Sequence, residues 1–157
     1  RQGYDGYSSN GGGGGGAGGA GTSGGGGPGA VSTITGVSVT YAAGGGAGQG
    51  SGGPNCANPA NPGGSSIGGT GAPIGAPRGS LPVVNTGSGA GGGWYQYGNG
   101  SSNDSGQPAS VGYGASGIVI LKIPTAKYTG VTTGSPTITT SGSFTILKYT
   151  GTGTYTA

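Results

Sequence analysis

Apolar and polar side chains alternate over Gly36 to Ala42, where Val37, Val39 and Tyr41 are separated by Ser38 and Thr40. A period of two places those three large residues on one face of a half-buried strand. Gly117 to Pro124 (GIVILKIP) is a β-branched run stopped by proline. It predicts a buried strand at the edge of whatever the preceding residues build. From Pro136 to Ala157 the chain reads PTITTSGSFTILKYTGTGTYTA, which predicts strands around 137–140, 143–150 and 154–156 joined by Ser-Gly and Thr-Gly turns. No window offers an apolar stripe of 3.6-residue period free of glycine, so no helix is predicted.

The stretches between these strands carry a different period. From Gly11 to Ala30, positions Gly12, Gly15, Gly18, Gly21, Gly24 and Gly27 are glycine in strict threefold phase, and the other phases hold only Gly, Ala, Ser, Thr and Pro. A polyproline-II-type helix has three residues per turn and rises about 3.1 Å per residue, so this phase leaves one bare face along the helix. Such a helix makes no internal hydrogen bonds, and its N–H and C=O groups need neighbours that can come equally close. Small-residue phases at Gly44, Ala47, Gly50 and Gly53, and at Gly63, Ser66, Gly69, Ala72 and Gly75, supply candidates, with Gly87 to Gly93 a shorter fourth. Collagen requires an unbroken Gly-X-Y phase, which the strand-like inserts interrupt.

Composition sharpens that reading. Glycine accounts for 47 and proline for 10 of the 157 residues, while apolar residues of every size make up only 29%, too few for a conventional side-chain core. Order must then come mainly from backbone hydrogen bonds and close backbone packing; the alternative is disorder. The charges Arg1, Arg78, Lys122, Lys127, Lys148, Asp5 and Asp104 form no run of either sign, so the net charge of +3 is no argument for nucleic acid or membrane. Cys56 stands alone, which excludes an intrachain disulfide. The longest uninterrupted apolar stretch, Ile118 to Leu121, has the length of a strand and is far short of a membrane span. A chain with neither an initiating Met nor a signal peptide suggests a processed product or a segment of something longer.

General acid–base and nucleophilic chemistry need groups that titrate near neutrality within hydrogen-bond reach of each other. The chain has no His, its two aspartates are far apart in sequence, and Cys56 has no base nearby in sequence. It reads as a non-enzyme with no cofactor and no metal site of His/Cys clusters or paired acids. Matches to GxGxxG are uninformative in so much glycine, and Arg78-Gly79 is a single Arg-Gly pair, so nucleic-acid binding is not expected.

The ordered set GAGGAGTSGGGGPG, STITGVSVTYAAGGG, VVNTGSGAGGG and GASGIVILKIP resembles the glycine-rich domain of tail-fibre and adhesin proteins of tailed bacteriophages, especially those of marine and cyanobacterial hosts. The closing GSPTITTSGSFTILKYTGTGTYT is similar to the short β segment that often follows it. The resemblance covers roughly residues 11–157, although the glycine runs after Gly44 are shorter than is usual in that family. It implies a non-α fold, a sandwich of packed polyglycine-II helices with short β-strands, divided into a connector (1–10), a glycine-rich domain (11–124) and a short β-strand C-terminal segment (125–157). It also implies an extracellular location on the virion, in a tail or other surface fibre, as a homotrimer or beside other fibre subunits and without membrane insertion.

On the same resemblance, loops at 55–62, 74–84 and 94–112 meet a host-surface glycan or protein. Their candidate contact residues are Asn58, Arg78, Trp94, Tyr95, Tyr97, Asn99, Asn103 and Asp104. Flat aromatics among small polar groups suit sugar or protein contact, while the competing reading packs Trp94 onto the scaffold as its only large plug. Tyr41, Ile118, Ile120, Phe144 and Ile146, on strand-period faces, read as packing residues. Two other functions fit the pattern: a purely structural fibre subunit, and an ice-binding protein, since polyglycine-II bundles also occur in springtail antifreeze proteins. Those rely on paired cysteines and lack runs such as GIVILKIP.

Overall fold

A computed structural model describes residues 3–8, 12–48, 50–51, 60–73, 76, 78–93, 95–96 and 112–157, with the backbone alone for 50, 51, 95 and 96. The chain is mostly non-helical: its helical elements among these residues are single 3-10 turns at Gly64–Ser66 and Thr125–Lys127. Among the described residues seven short strands form three small sheets. β1 (Ala30–Ser32) and β2 (Val39–Tyr41) make an antiparallel hairpin, and β3 (Gly50–Ser51) pairs in parallel with β4 (Tyr95–Gln96). β5 (Val119–Pro124), β6 (Thr137–Ser141) and β7 (Phe144–Tyr149) form an antiparallel sheet with β7 in the centre.

The first part of the chain is built around residues 42–48, which run through the middle of several extended segments. Gly14 and Ala17 donate to the carbonyls of Gly45 and Ala42, an antiparallel pairing in steps of three residues. Gly89 and Gly92 donate to Ala43 and Gly46 in a parallel pairing with the same step. Gly44 and Ala47 donate in turn to Gly27 and Gly24, and the carbonyls of Gly44 and Ala47 accept from Gly64 N–H and from Asn61 Nδ2. Every third residue of this central segment therefore addresses the same neighbour. The step recurs further out, where Tyr4 and Tyr7 donate to Gly16 and Gly13, and Gly69 and Ala72 to Gly89 and Gly92.

At the glycine positions that face a neighbouring backbone, this array has no room for a side chain. A Cβ on Gly44 would fall inside 3.0 Å of both Gly14 O and Gly27 N, and one on Gly71 or Gly48 would collide with the carbonyl of Ala47 or Gly93. The Cα hydrogens at these positions face carbonyl oxygens, which adds weak Cα–H···O contacts to the N–H bonds. The apolar residues buried here are Ala43, Ala47 and Ala72.

The C-terminal sheet is the opposite case. Its core is β7, where Ile146 is 2% and Leu147 0% exposed, so both faces of the strand are covered. The β6–β7 hairpin turns at Gly142 and Ser143, and Gly142 has φ of +57°, as the first position of a two-residue type II′ turn requires. One face of β7, that of Ile146 and Lys148, looks across a cleft towards β2 and residues 84–86, and the end of β6 touches the β1–β2 turn, where a Cβ on Gly36 would lie 2.6 Å from Ser141 Oγ. The other face is closed by residues after β5 and by the C-terminal tail. There Tyr149 Oη donates to Thr154 O at 2.8 Å, the Thr133 and Thr154 hydroxyls bond at 2.7 Å, and the Tyr128 and Tyr155 rings stack with centroids 6.0 Å apart.

Sequence expectation and structure differ in detail. The strand within 36–42 is confined to Val39–Tyr41, because Thr35 and Gly36 turn the chain back onto β1. GIVILKIP is a strand from Val119 and pairs with β7, which draws it into the C-terminal sheet as an edge strand; Val119 is 59% exposed. The sheet thus spans the expected boundary between residues 124 and 125. Of 154–156 only a single bridge forms, Tyr155 with Thr132.

Candidate functional site

Two concavities bracket residues 42–48. The first is an open groove of about 620 Å³ floored by Gly44 to Gly48 and walled by Gly12, Gly14 and Gly15 on one side and Gly89, Ala90 and Gly92 on the other. It is lined by backbone. The N–H groups of Gly45 and Gly48, three residues apart, donate to no acceptor of the described residues.

The second is a cleft of about 480 Å³ where the glycine array meets the C-terminal sheet. β2 contributes Val39 and Tyr41, the β1–β2 turn Thr35 and Val37, and residues 84–86 a third wall. The sheet contributes Thr137 and Thr139 from β6, Ile146 and Lys148 from β7, and Ile118 and Thr150. Alternation along β7 puts Ile146 and Lys148 on this face, and the register sets Lys148 between Ile120 and Thr137.

The wall at 84–86 is held firmly. Asn85, in the left-handed region at φ +58°, donates its N–H to Ser116 Oγ, and Ser116 Oγ donates to Asn85 Oδ1 at 2.7 Å. Thr86 O accepts from Ala42 N–H, and Thr86 Oγ1 donates to Val83 O and shares a second hydrogen bond with the Ser88 hydroxyl. Ser88, 2% exposed, accepts in addition from Ala43 N–H, which ties the cleft wall to the central segment. With Oδ1 engaged, the Asn85 amide keeps its N–H donors for the cleft.

Two lysines share this face of the sheet and are treated differently. Lys122 Nζ sits 4.6 Å from the centroid of the Phe144 ring, a cation–π contact. Lys148 is half-buried and has neither a ring nor a carboxylate against it among the described residues. The Tyr41 hydroxyl likewise has no partner there. The cleft therefore offers one uncompensated cation, several hydroxyls and an apolar floor, a set suited to reversible binding.

Elsewhere, burial, helped by Tyr128, pushes the Tyr149 hydroxyl above its ordinary value of 10.0. No group of three or more His, Cys, Asp or Glu residues gathers among the described residues, and no helix there is long and apolar enough to cross a membrane.

Of the contact residues expected from the sequence, Arg78 is exposed on the segment leading to Ser80, whose N–H bonds Thr70 O. Tyr95 is placed by its backbone alone, opposite Gly50 in the β3–β4 pair. Asn58, Trp94, Tyr97, Asn99, Asn103 and Asp104 lie outside the described residues. The cleft was missed because Tyr41 and Ile146 read as packing residues. The available signal was Lys148, a charge on the same strand face as Ile146. Comparison with known proteins returned no match: no family model, no curated protein and no solved structure matches this chain.

Proposed function

We propose that this chain is a structural fibre or adhesin domain of the tailed-phage type it resembles, a stiff bundle of polyglycine-II helices that presents contact surfaces to a host cell. The observation that carries the reading is the three-residue step of the hydrogen bonds around residues 42–48, since a helix of three residues per turn addresses each neighbour once per turn. A bundle tied together in this way from segments far apart in sequence resists bending without a large core, which suits a fibre. The surfaces it presents meet a host glycan or protein, and several copies per particle, as a homotrimer or with other fibre subunits, raise the avidity. The location that follows is extracellular, on the virion.

The test is immunogold electron microscopy of tailed particles that carry the chain. Antibodies raised against it are expected to label the distal tail; label confined to the capsid, or absent from intact particles, overturns the reading. The backbone groove favours a second reading, a purely structural subunit that joins its own kind, because the N–H groups of Gly45 and Gly48, without an acceptor among the described residues, could bond a further extended segment.

A further inference from the structure

We propose that the cleft between β2 and the C-terminal sheet binds an acidic saccharide, with a sugar carboxylate on Lys148. For its biological setting the inference rests on the adhesin reading, to which it gives a ligand class. The binding itself is tested without host cells or particles.

Three features converge on that chemistry. Lys148 is half-buried and has no counter-charge among the described residues, while Lys122 on the same sheet face already has the Phe144 ring; a carboxylate entering the cleft supplies that counter-charge. The polar lining is dominated by hydroxyls, those of Tyr41, Thr137, Thr139 and Thr150, joined by the side-chain amide of Asn85, whose N–H donors have no acceptor among the described residues. Hydroxyls both donate and accept, as sugar hydroxyls do. Val39 and Ile118, both half-buried, add apolar surface for the C–H face of a pyranose ring, and Tyr41 adds an aromatic plane.

The other features of the cleft agree. A volume of about 480 Å³ lies within the range of small-molecule sites. The Asn85–Ser116 and Thr86–Ser88 bonds fix one wall before any ligand arrives, and the paired strands β6 and β7 fix the other, so little ordering cost remains. A single cation does not suit a nucleic acid, whose repeated phosphates call for several.

The experiment is calorimetric titration of the whole chain with trigalacturonate and with its fully methyl-esterified form, which keeps the rings and hydroxyls but loses the charge. The acid is expected to bind at least about tenfold more tightly than the ester, and more weakly as salt is added. Lys148→Gln is expected to abolish that preference, Lys148→Arg to keep it, and Lys122→Gln to leave it unchanged. Equal affinity for acid and ester, or no binding of the acid up to about 10 mM, overturns the proposal. The ester comparison is made on the unmutated chain, so the outcome does not depend on how the variants fold. Failure here leaves the fibre reading standing, because that reading is decided by the labelling of particles.

Discussion

The glycine array and the C-terminal sheet meet at the cleft but are stabilised by different means. In the array the buried apolar residues are alanines, and the segments are joined by N–H···O bonds between stretches distant in sequence. In the sheet, Ile146 and Leu147 fill both sides of a central strand. Each backbone hydrogen bond contributes only about 0.5–1.5 kcal/mol net, whereas a buried Leu or Ile contributes about 1.5–3 kcal/mol by itself. The array must therefore keep nearly all of its bonds at once, and it depends on the absence of side chains as the sheet depends on their presence.

The largest effect is expected where a side chain is added to the array. Gly44→Ala places a methyl group against Gly14 O and Gly27 N, both backbone, and should cost at least about 3 kcal/mol or abolish the cooperative melt of the array. Calorimetry reads this directly. Gly117→Ala is the control: a Cβ there meets nothing within 4 Å, and the change should stay within about 0.5 kcal/mol.

Removing a side chain from the sheet should cost about as much in the reverse sense. Leu147→Ala is expected to destabilise by about 2–5 kcal/mol. Hydrogen exchange should locate the damage in β5, β6 and β7 and leave the exchange pattern of residues 12–48 unchanged. An equal loss in both regions would show that they unfold as one unit.

At the joint between the two regions, Ser88→Ala removes the acceptor of Ala43 N–H and the hydroxyl partner of Thr86 Oγ1. A loss of about 1–3 kcal/mol by chemical denaturation is expected, because the donor left behind is buried.

The smallest effect belongs to Tyr149. Its folded hydroxyl titrates above its ordinary value of 10.0, so the folded state holds its proton where the unfolded state gives it up. The stability involved is complete below pH 10 and falls as pH rises through the folded value. Tyr149→Phe should flatten that part of the alkaline melting profile, at the expense of the bond to Thr154 O.

What was legible in the sequence follows the same division. The strand expectations at 137–140 and 143–150 agree with β6 and β7 because alternation and a Ser-Gly turn are local signals. The threefold glycine phase announced a three-residue step because a missing Cβ is visible in the sequence. Which segments pair, and in which direction, was not legible: Gly89 looks like every other glycine until it meets Ala43. β1 was hidden for the same reason, since Ala30–Ser32 closes a glycine run without alternation of its own. At the candidate site Lys148 was visible as a charge in an apolar strand, but its lack of a counter-charge depends on three-dimensional neighbours. The loop at 94–112, chosen for its composition, lies largely outside the described residues.

The central claim is that residues three apart along 42–48 pair with the same neighbouring segment, as Gly44 and Ala47 do through their N–H groups, and amide hydrogen exchange by NMR tests it residue by residue. Gly44, Gly46 and Ala47, which donate within the array, are expected to exchange slowly, and Gly45 and Gly48, which have no acceptor among the described residues, to exchange fast, giving an interruption every three residues. Uniformly fast exchange through 12–48, or protection of Gly45 and Gly48 equal to that of Gly44, would contradict it.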